Sequence, residues 1–152
     1  MLLHSATFSV HDNTYKRVAG DWKEWESVIW DRELNQRKFH VIVLTVTSHC
    51  IIVLVGITYA RLYCKRETKE AFKAMFGALF GSIERVTGKP VQFKFMHGMG
   101  LAAIILDGCK AQAEGLGEYL LSRSITIPIV PPLTVDSILP KILRVCIVHL
   151  DR

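Results

Sequence analysis

Leu101-Ala102-Ala103-Ile104-Ile105-Leu106-Asp107-Gly108-Cys109-Lys110-Ala111-Gln112-Ala113-Glu114 is the stretch that decides the fold. Its first six residues are an apolar run, short enough for a buried strand. Asp107-Gly108 then breaks the run, and Cys109 to Glu114 reads as the opening of a helix. A buried strand that delivers a carboxylate at its carboxyl end, followed by a helix, is the arrangement in which open α/β sheets place ligands. The plainer role for such an Asp is to cap the turn or the helix that follows. A second acid stands in a similar setting upstream, where Ala6 to Val10 leads into His11-Asp12-Asn13-Thr14-Tyr15.

Outward from these two acids, the chain alternates between strand and helix patterns. Thr7 to Val18 reads as a first strand, and Ala19-Gly20-Asp21 as a turn. Glu24 to Trp30 alternates polar and apolar residues, which suits a half-buried strand. Ile57 to Cys64 is positioned to close a hairpin with it. The clearest helix is Glu67 to Val86, with Phe72, Met75, Phe76, Leu79, Phe80, Ile83 and Val86 on one apolar stripe. Gly88 and Pro90 stop it, and Gly77 and Gly81 suggest close packing against a sheet. Val91 to Phe95 alternates like a strand, and His97-Gly98-Met99-Gly100 is a loop that lacks a phosphate-binding fingerprint. A helix from Lys110 to Leu121, an extended link Ile127 to Pro132, and an apolar stretch Ile138 to Leu150 complete the chain.

Composition sets the outer bounds. The 152 residues fit one domain with a real core, and half of them are hydrophobic. The formal charge of +5 permits an anionic partner, but no dense basic block focuses it. Cys50, Cys64, Cys109 and Cys146 are widely spaced and read as reduced intracellular thiols. Met1 to Ser5 has no basic n-region or adequate apolar core, so no signal peptide is read there.

The segment Phe39 to Gly56, extended by Ile57, is uncharged and approaches the length of a membrane span. His40, Thr45, Thr47, Ser48 and His49 interrupt it, and its Val, Ile and Thr content equally suits two buried strands. It lies between the two halves of the predicted hairpin, so residues 38–56 read as an apolar insert.

Strand, hairpin, helix, strand-Asp and helix is the element order of an RNase H-like fold, an α/β mixed sheet with flanking helices. The residues also resemble a known family. Asp12-Asn13-Thr14-Tyr15-Lys16 is similar to the first-strand Asp-x-Thr-Phe/Tyr of Mutator-like (MULE-type) transposase cores, of the kind found in fungal genomes. Ile104 to Ala111 is similar to the second-acid pattern, strand then Asp-Gly-x-x-Ala, and Cys146-Ile147-Val148-His149 to the family's Cys-x-x-His element. Together these cover nearly the whole chain apart from Lys38–Gly56, as a single partial domain.

The resemblance implies that Asp12 and Asp107 are the first two members of a DDE triad binding Mg²⁺ or Mn²⁺. Such a centre cleaves and joins DNA in the nucleus. The family's third acid lies beyond the Cys-x-x-His element, and the chain ends at Arg152, so the expectation is a truncated domain without strand transfer of its own. Glu114 and Glu118 follow Asp107 too closely to replace the third acid, and Glu70 reads as a solvated helix residue. Cys146 and His149 alone do not make a zinc site, and a buried thiol and an ordinary His explain them. His97 reads as structural. Trp22, Trp25 and Trp30 suit a core or sheet-face role, with base stacking as the alternative. Two further readings stay open: a small membrane protein anchored by residues 39–57, and a non-catalytic nucleic-acid- or protein-binding remnant. Carboxylates of Asp12 and Asp107 within a bridging-ion span of roughly 4–6 Å would favour the metal centre. Placement at opposite ends of the sheet would defeat it.

Overall fold

The computed structural model describes residues 8–14, 21–29, 57–124 and 133–145. The segment 38–56, read as an insert or membrane anchor, lies outside the described residues, as do Trp30, the link 127–132 and the Cys146–His149 pair. No helix among the described residues is long and apolar enough to cross a membrane.

Strands β1 (Phe8–Thr14), β2 (Lys23–Ile29) and β3 (Ile57–Cys64) form an antiparallel meander. The hairpin read from sequence is therefore present, with a bulge between Ser27 and Val28. Helix α1 (Lys69–Thr87) follows, then the single-turn helix α2 (Lys94–His97), β4 (Ala103–Leu106), α3 (Lys110–Ser124), α4 (Val135–Ile142) and β5 (Leu143–Val145). β4 pairs parallel to β1, and β5 parallel to β4, giving one mixed sheet of order β3-β2-β1-β4-β5. The fold is thus mixed α/β, a five-stranded sheet with flanking helices.

Alternation assigns the two faces. Ser9, His11, Trp25, Ser27, Ile104 and Leu106 are buried beneath the helices. Phe72, Met75, Phe76, Leu79 and Phe80 of α1, Leu116 and Leu120 of α3, and Ile138 and Ile142 of α4 close over them as one core. Phe76 meets Trp25 edge-on at 5.0 Å and stacks on Phe80, which in turn meets Phe93 at 5.4 Å. Buried aromatic pairs of this kind add about 0.5–1.5 kcal/mol each beyond their area. α1 is closed at its start by the Thr68 hydroxyl, which accepts from the Ala71 amide, and at its end by Gly88 in the left-handed region. α4 carries a full capping box between Thr134 and Ser137.

Three readings of the helical region change. The apolar stripe of α1 ends before Val86, which is 81% exposed. Gly77 and Gly81 are not held against the sheet: a Cβ on Gly77 would meet the Tyr119 ring of α3 at 3.9 Å, and one on Gly81 would enter open space. Val91 to Phe95 is not a strand. Phe93 makes one isolated bridge to Leu101, and the chain then turns into α2. Tertiary contacts decide this: Phe93 is buried against Phe80, and the Gln92 carbonyl accepts from the Leu101 amide at 2.9 Å. Gly100 makes that closure possible. Its φ is +91°, and a Cβ there would lie 2.2 Å from the Gln92 oxygen.

The glycine that governs helix packing is Gly115. A Cβ on it would stand 2.7 Å from the Lys69 carbonyl oxygen and 2.8 Å from the Lys73 nitrogen, so α3 crosses α1 backbone to backbone. Lys69 and Lys73 of α1 then reach Glu118 of α3 at 2.8 and 3.3 Å. The carboxylate of Glu118 is held below its ordinary range chiefly by the Lys69 hydrogen bond. Gly115→Ala will destabilise the fold by about 2 kcal/mol or more, since overpacking against rigid backbone has no side-chain escape. Gly81→Ala, in open helix, will stabilise it by about 0.5–1 kcal/mol. Urea unfolding of the two variants checks both signs.

Candidate functional site

Asp12 and Asp107 come to the same end of the sheet. β1 and β4 are parallel neighbours, with Phe8, Ser9 and Val10 opposite Ala103, Ile104 and Ile105. The pairing runs to Val10 and Ile105, two residues short of each acid, and both acids lie toward the carboxyl ends of these strands. The placement at opposite ends that would have defeated a shared site does not occur.

Each acid is held differently. Asp107 follows the last residue of β4, and its Oδ1 accepts from the Cys109 amide at 3.1 Å, forming a turn that leads into α3. The plain turn-capping role is therefore real. With its amide oriented to satisfy both neighbours, buried Gln112 donates to the same Oδ1 at 2.8 Å and accepts from the indole N–H of Trp25. Two donors thus fix Oδ1 on the helix side. Asp12 is half-buried in the middle of the sheet, directly opposite Glu26 of β2. Glu26 in turn faces Arg61 of β3, whose Nε lies 2.9 Å from Glu26 and 3.4 Å from Glu24. Asp12, Glu26 and Arg61 therefore form a row across three strands. Like charges placed opposite each other oppose sheet formation, and Arg61 offsets that for the glutamates.

The neighbouring position on the covered face is of the opposite character. His11 is completely buried, stacked on Trp25 at 4.7 Å and met edge-on by Phe76 at 5.5 Å. Its Nε2 is hydrogen-bonded to the Ser9 hydroxyl at 3.0 Å and its Nδ1 to the Ser27 hydroxyl at 2.8 Å. Two hydroxyls, each able to donate or accept, satisfy both nitrogens of a neutral imidazole. Burial without an opposite charge lowers its pKa from 6.5 to about 3.

The sequence reading missed Glu24, Glu26, Arg61, Gln112 and the Ser9-His11-Ser27 group. Alternation in Glu24-Trp25-Glu26-Ser27 put both glutamates on one face, but their alignment with Asp12 depends on a register that is non-local. Of the tryptophans, Trp25 is a core residue, whereas Trp22 is 43% exposed. His97 does serve structure, since its Nδ1 accepts from the Phe93 amide at 3.0 Å. Glu70 is solvated, and Glu118 is occupied by Lys69 and Lys73. Cys64 and Cys109 are free thiols. Among the described residues no group of three or more His, Cys, Asp or Glu side chains is arranged to hold a metal ion.

His11 makes acid stability a readout of this region. The unfolded chain protonates near pH 6.5 and the folded chain only near 3. The contribution is therefore complete above pH 6.5 and is lost as pH falls from 6.5 toward 3. His11→Gln keeps a donor and an acceptor but does not titrate. Between pH 7 and pH 4.5 the native chain will lose about 2–3 kcal/mol more stability than the variant, from about two pH units at 1.4 kcal/mol each. Urea titrations at the two pH values measure this, and parallel losses in both proteins would remove His11 as the cause. Comparison with protein-family models, curated proteins and solved structures finds no match to this sequence.

Proposed function

We propose that this chain is an RNase H-like, DDE-type domain of transposase ancestry. In this reading it retains two acids of a divalent-cation centre that acted on nuclear DNA, and it has no strand-transfer activity of its own. The observation that supports it is that Asp12 and Asp107 both lie toward the carboxyl ends of two neighbouring parallel strands, in a sheet of order β3-β2-β1-β4-β5 with β2 antiparallel. The element order agrees with the Asp-x-Thr-Tyr and Asp-Gly-x-x-Ala patterns that carry those acids.

The donor set suits one hard cation such as Mg²⁺ or Mn²⁺, which takes oxygen ligands and retains several waters. Asp12 and the Oδ2 of Asp107 are the groups that would hold it, because Oδ1 of Asp107 is committed to Cys109 and Gln112. A bound ion would supply charge stabilisation to a phosphate ester. Among the described residues no group of three or more His, Cys, Asp or Glu side chains is arranged to hold a metal ion, so the reading is of a single ion between two acids. Gln112 would act as a positioning residue, tying Asp107 to the Trp25 indole.

Thermal unfolding with and without MnCl₂ tests the reading. At ten times the dissociation constant, one bound ion stabilises the native state by about 1.4 kcal/mol. That corresponds to a Tm rise of roughly 3–6 °C for a domain of this size. Asp12→Asn/Asp107→Asn will lose the rise, while the amide oxygen introduced by Asp107→Asn still accepts from Cys109 and preserves the turn. An equal rise in the double variant, or none in the native chain, would sink the metal centre. Mn²⁺-dependent cleavage of DNA that disappears in Asp12→Asn would overturn the assignment of inactivity.

A further inference from the structure

The sheet face away from the helices carries a second feature beside the acids. Tyr63 lies opposite Glu24, and Cys64 opposite Lys23, so the next position sets Trp22 beside Lys65. The Lys65 ammonium lies over the Trp22 ring, 4.9 Å from its centre. Trp22 is 43% and Tyr63 50% exposed. Arg61, Tyr63 and Lys65 are alternate residues of β3 and its extension, spaced about 6.8 Å apart. Ala60, Leu62 and Cys64 between them turn to the core. Arg61 is engaged by Glu24 and Glu26, and Lys23 by Glu67. Lys65 and Arg66 are exposed and make no ion pair among the described residues, and Asp21, next to Trp22 in the chain, is also exposed.

We propose that Trp22, Tyr63, Lys65 and Arg66 form a binding strip for single-stranded nucleic acid. Two exposed aromatic faces on neighbouring strands offer stacking surfaces to successive bases, and the two cations meet the adjoining phosphates. Exposed tryptophan and tyrosine rings present flat apolar faces, and a base stacks on them without any sequence requirement. The net charge of +5 and the exposed Lys65 and Arg66 suit a polyanion, and the two exposed rings suit one that carries bases. The strip lies toward the sheet end where β1 terminates, beyond Asp12, Glu26 and Arg61 in register. It requires no metal and stands apart from the cation centre.

Fluorescence anisotropy with a labelled oligothymidylate of about 15 nucleotides, at low salt and in EDTA, tests it. EDTA separates this result from the fate of the metal reading. Trp22→Ala and Tyr63→Ala will each weaken binding about ten-fold, as loss of one stacked base does. Lys65→Glu/Arg66→Glu will weaken it and flatten the dependence of log K on log salt by about 1.4, the value for two single-strand phosphates. Lys89→Glu/Lys94→Glu is the control, because those lysines follow the far end of α1, a helix roughly 28 Å long. It will change affinity by less than about two-fold, the margin expected of long-range charge alone. Urea midpoints confirm that each variant folds. Unchanged affinity in both aromatic variants would overturn the strip. So would an equal loss in the control, tighter binding of duplex than single strand, or no binding at low salt.

Discussion

The parallel pairing of β1 with β4 is the constraint on which the rest of the structure depends. It joins residues nearly a hundred positions apart, from Phe8 opposite Ala103 to Val10 opposite Ile105. A parallel pair cannot be closed by a tight turn, so the intervening hairpin and α1 must be accommodated as its crossover. Its register also has no slack. Slipping β4 by one residue would turn Ile104 and Leu106, both fully buried, out of the core. The same slip would carry Asp107 away from Gln112, which ties it to Trp25. Core burial therefore fixes the geometry of the acids, although neither acid contributes to the core.

The helical layer supports that register through contact too close for ordinary side chains. Gly115 brings α3 onto the backbone of α1, and Gly117 brings it against Val135 and Leu139 of α4. Two glycines within one helix cost about 1 kcal/mol each in propensity. The crossing regains this through Leu116 and Leu120, which are fully buried. It also sets the first turns of α3, and with them Gln112, over the end of β4. Helix packing and the orientation of Asp107 are thus one problem, solved at the same backbone approach.

Much of this is legible in the residues. The β2/β3 hairpin, the α1 stripe from Phe72 to Phe80, and the strand-Asp-helix unit around Asp107 follow from period and punctuation, which are local properties. Val91 to Phe95 misleads because a short alternating segment suits a strand and equally suits one buried ring followed by a turn; Phe80 and Gln92 decide between them. Glu24 and Glu26 read only as the polar side of an alternating strand, because their partner Arg61 lies across the sheet. His11 draws no notice beside Asp12, since nothing in a lone His announces that Ser9 and Ser27 will bracket it. The common cause is register: side chains one strand apart belong to distant parts of the chain.

Register also explains why a chemical role belongs to one side of the sheet. Adjacent residues His11 and Asp12 face opposite ways. His11 enters a dry layer where polar groups survive only because they are neutral and paired, and where an added proton is refused. Asp12 enters a layer of carboxylates and guanidinium, aligned with Glu26. A phosphate or a cation could not be desolvated on the first side without an opposite charge to receive it. On the second side the charges stand already arranged on strands, whose positions the buried layer fixes from behind. The neutral serine–histidine–tryptophan group is therefore the rigid backing of the charged row. A change that loosens it would blur the spacing of Asp12 and Asp107 without touching either acid.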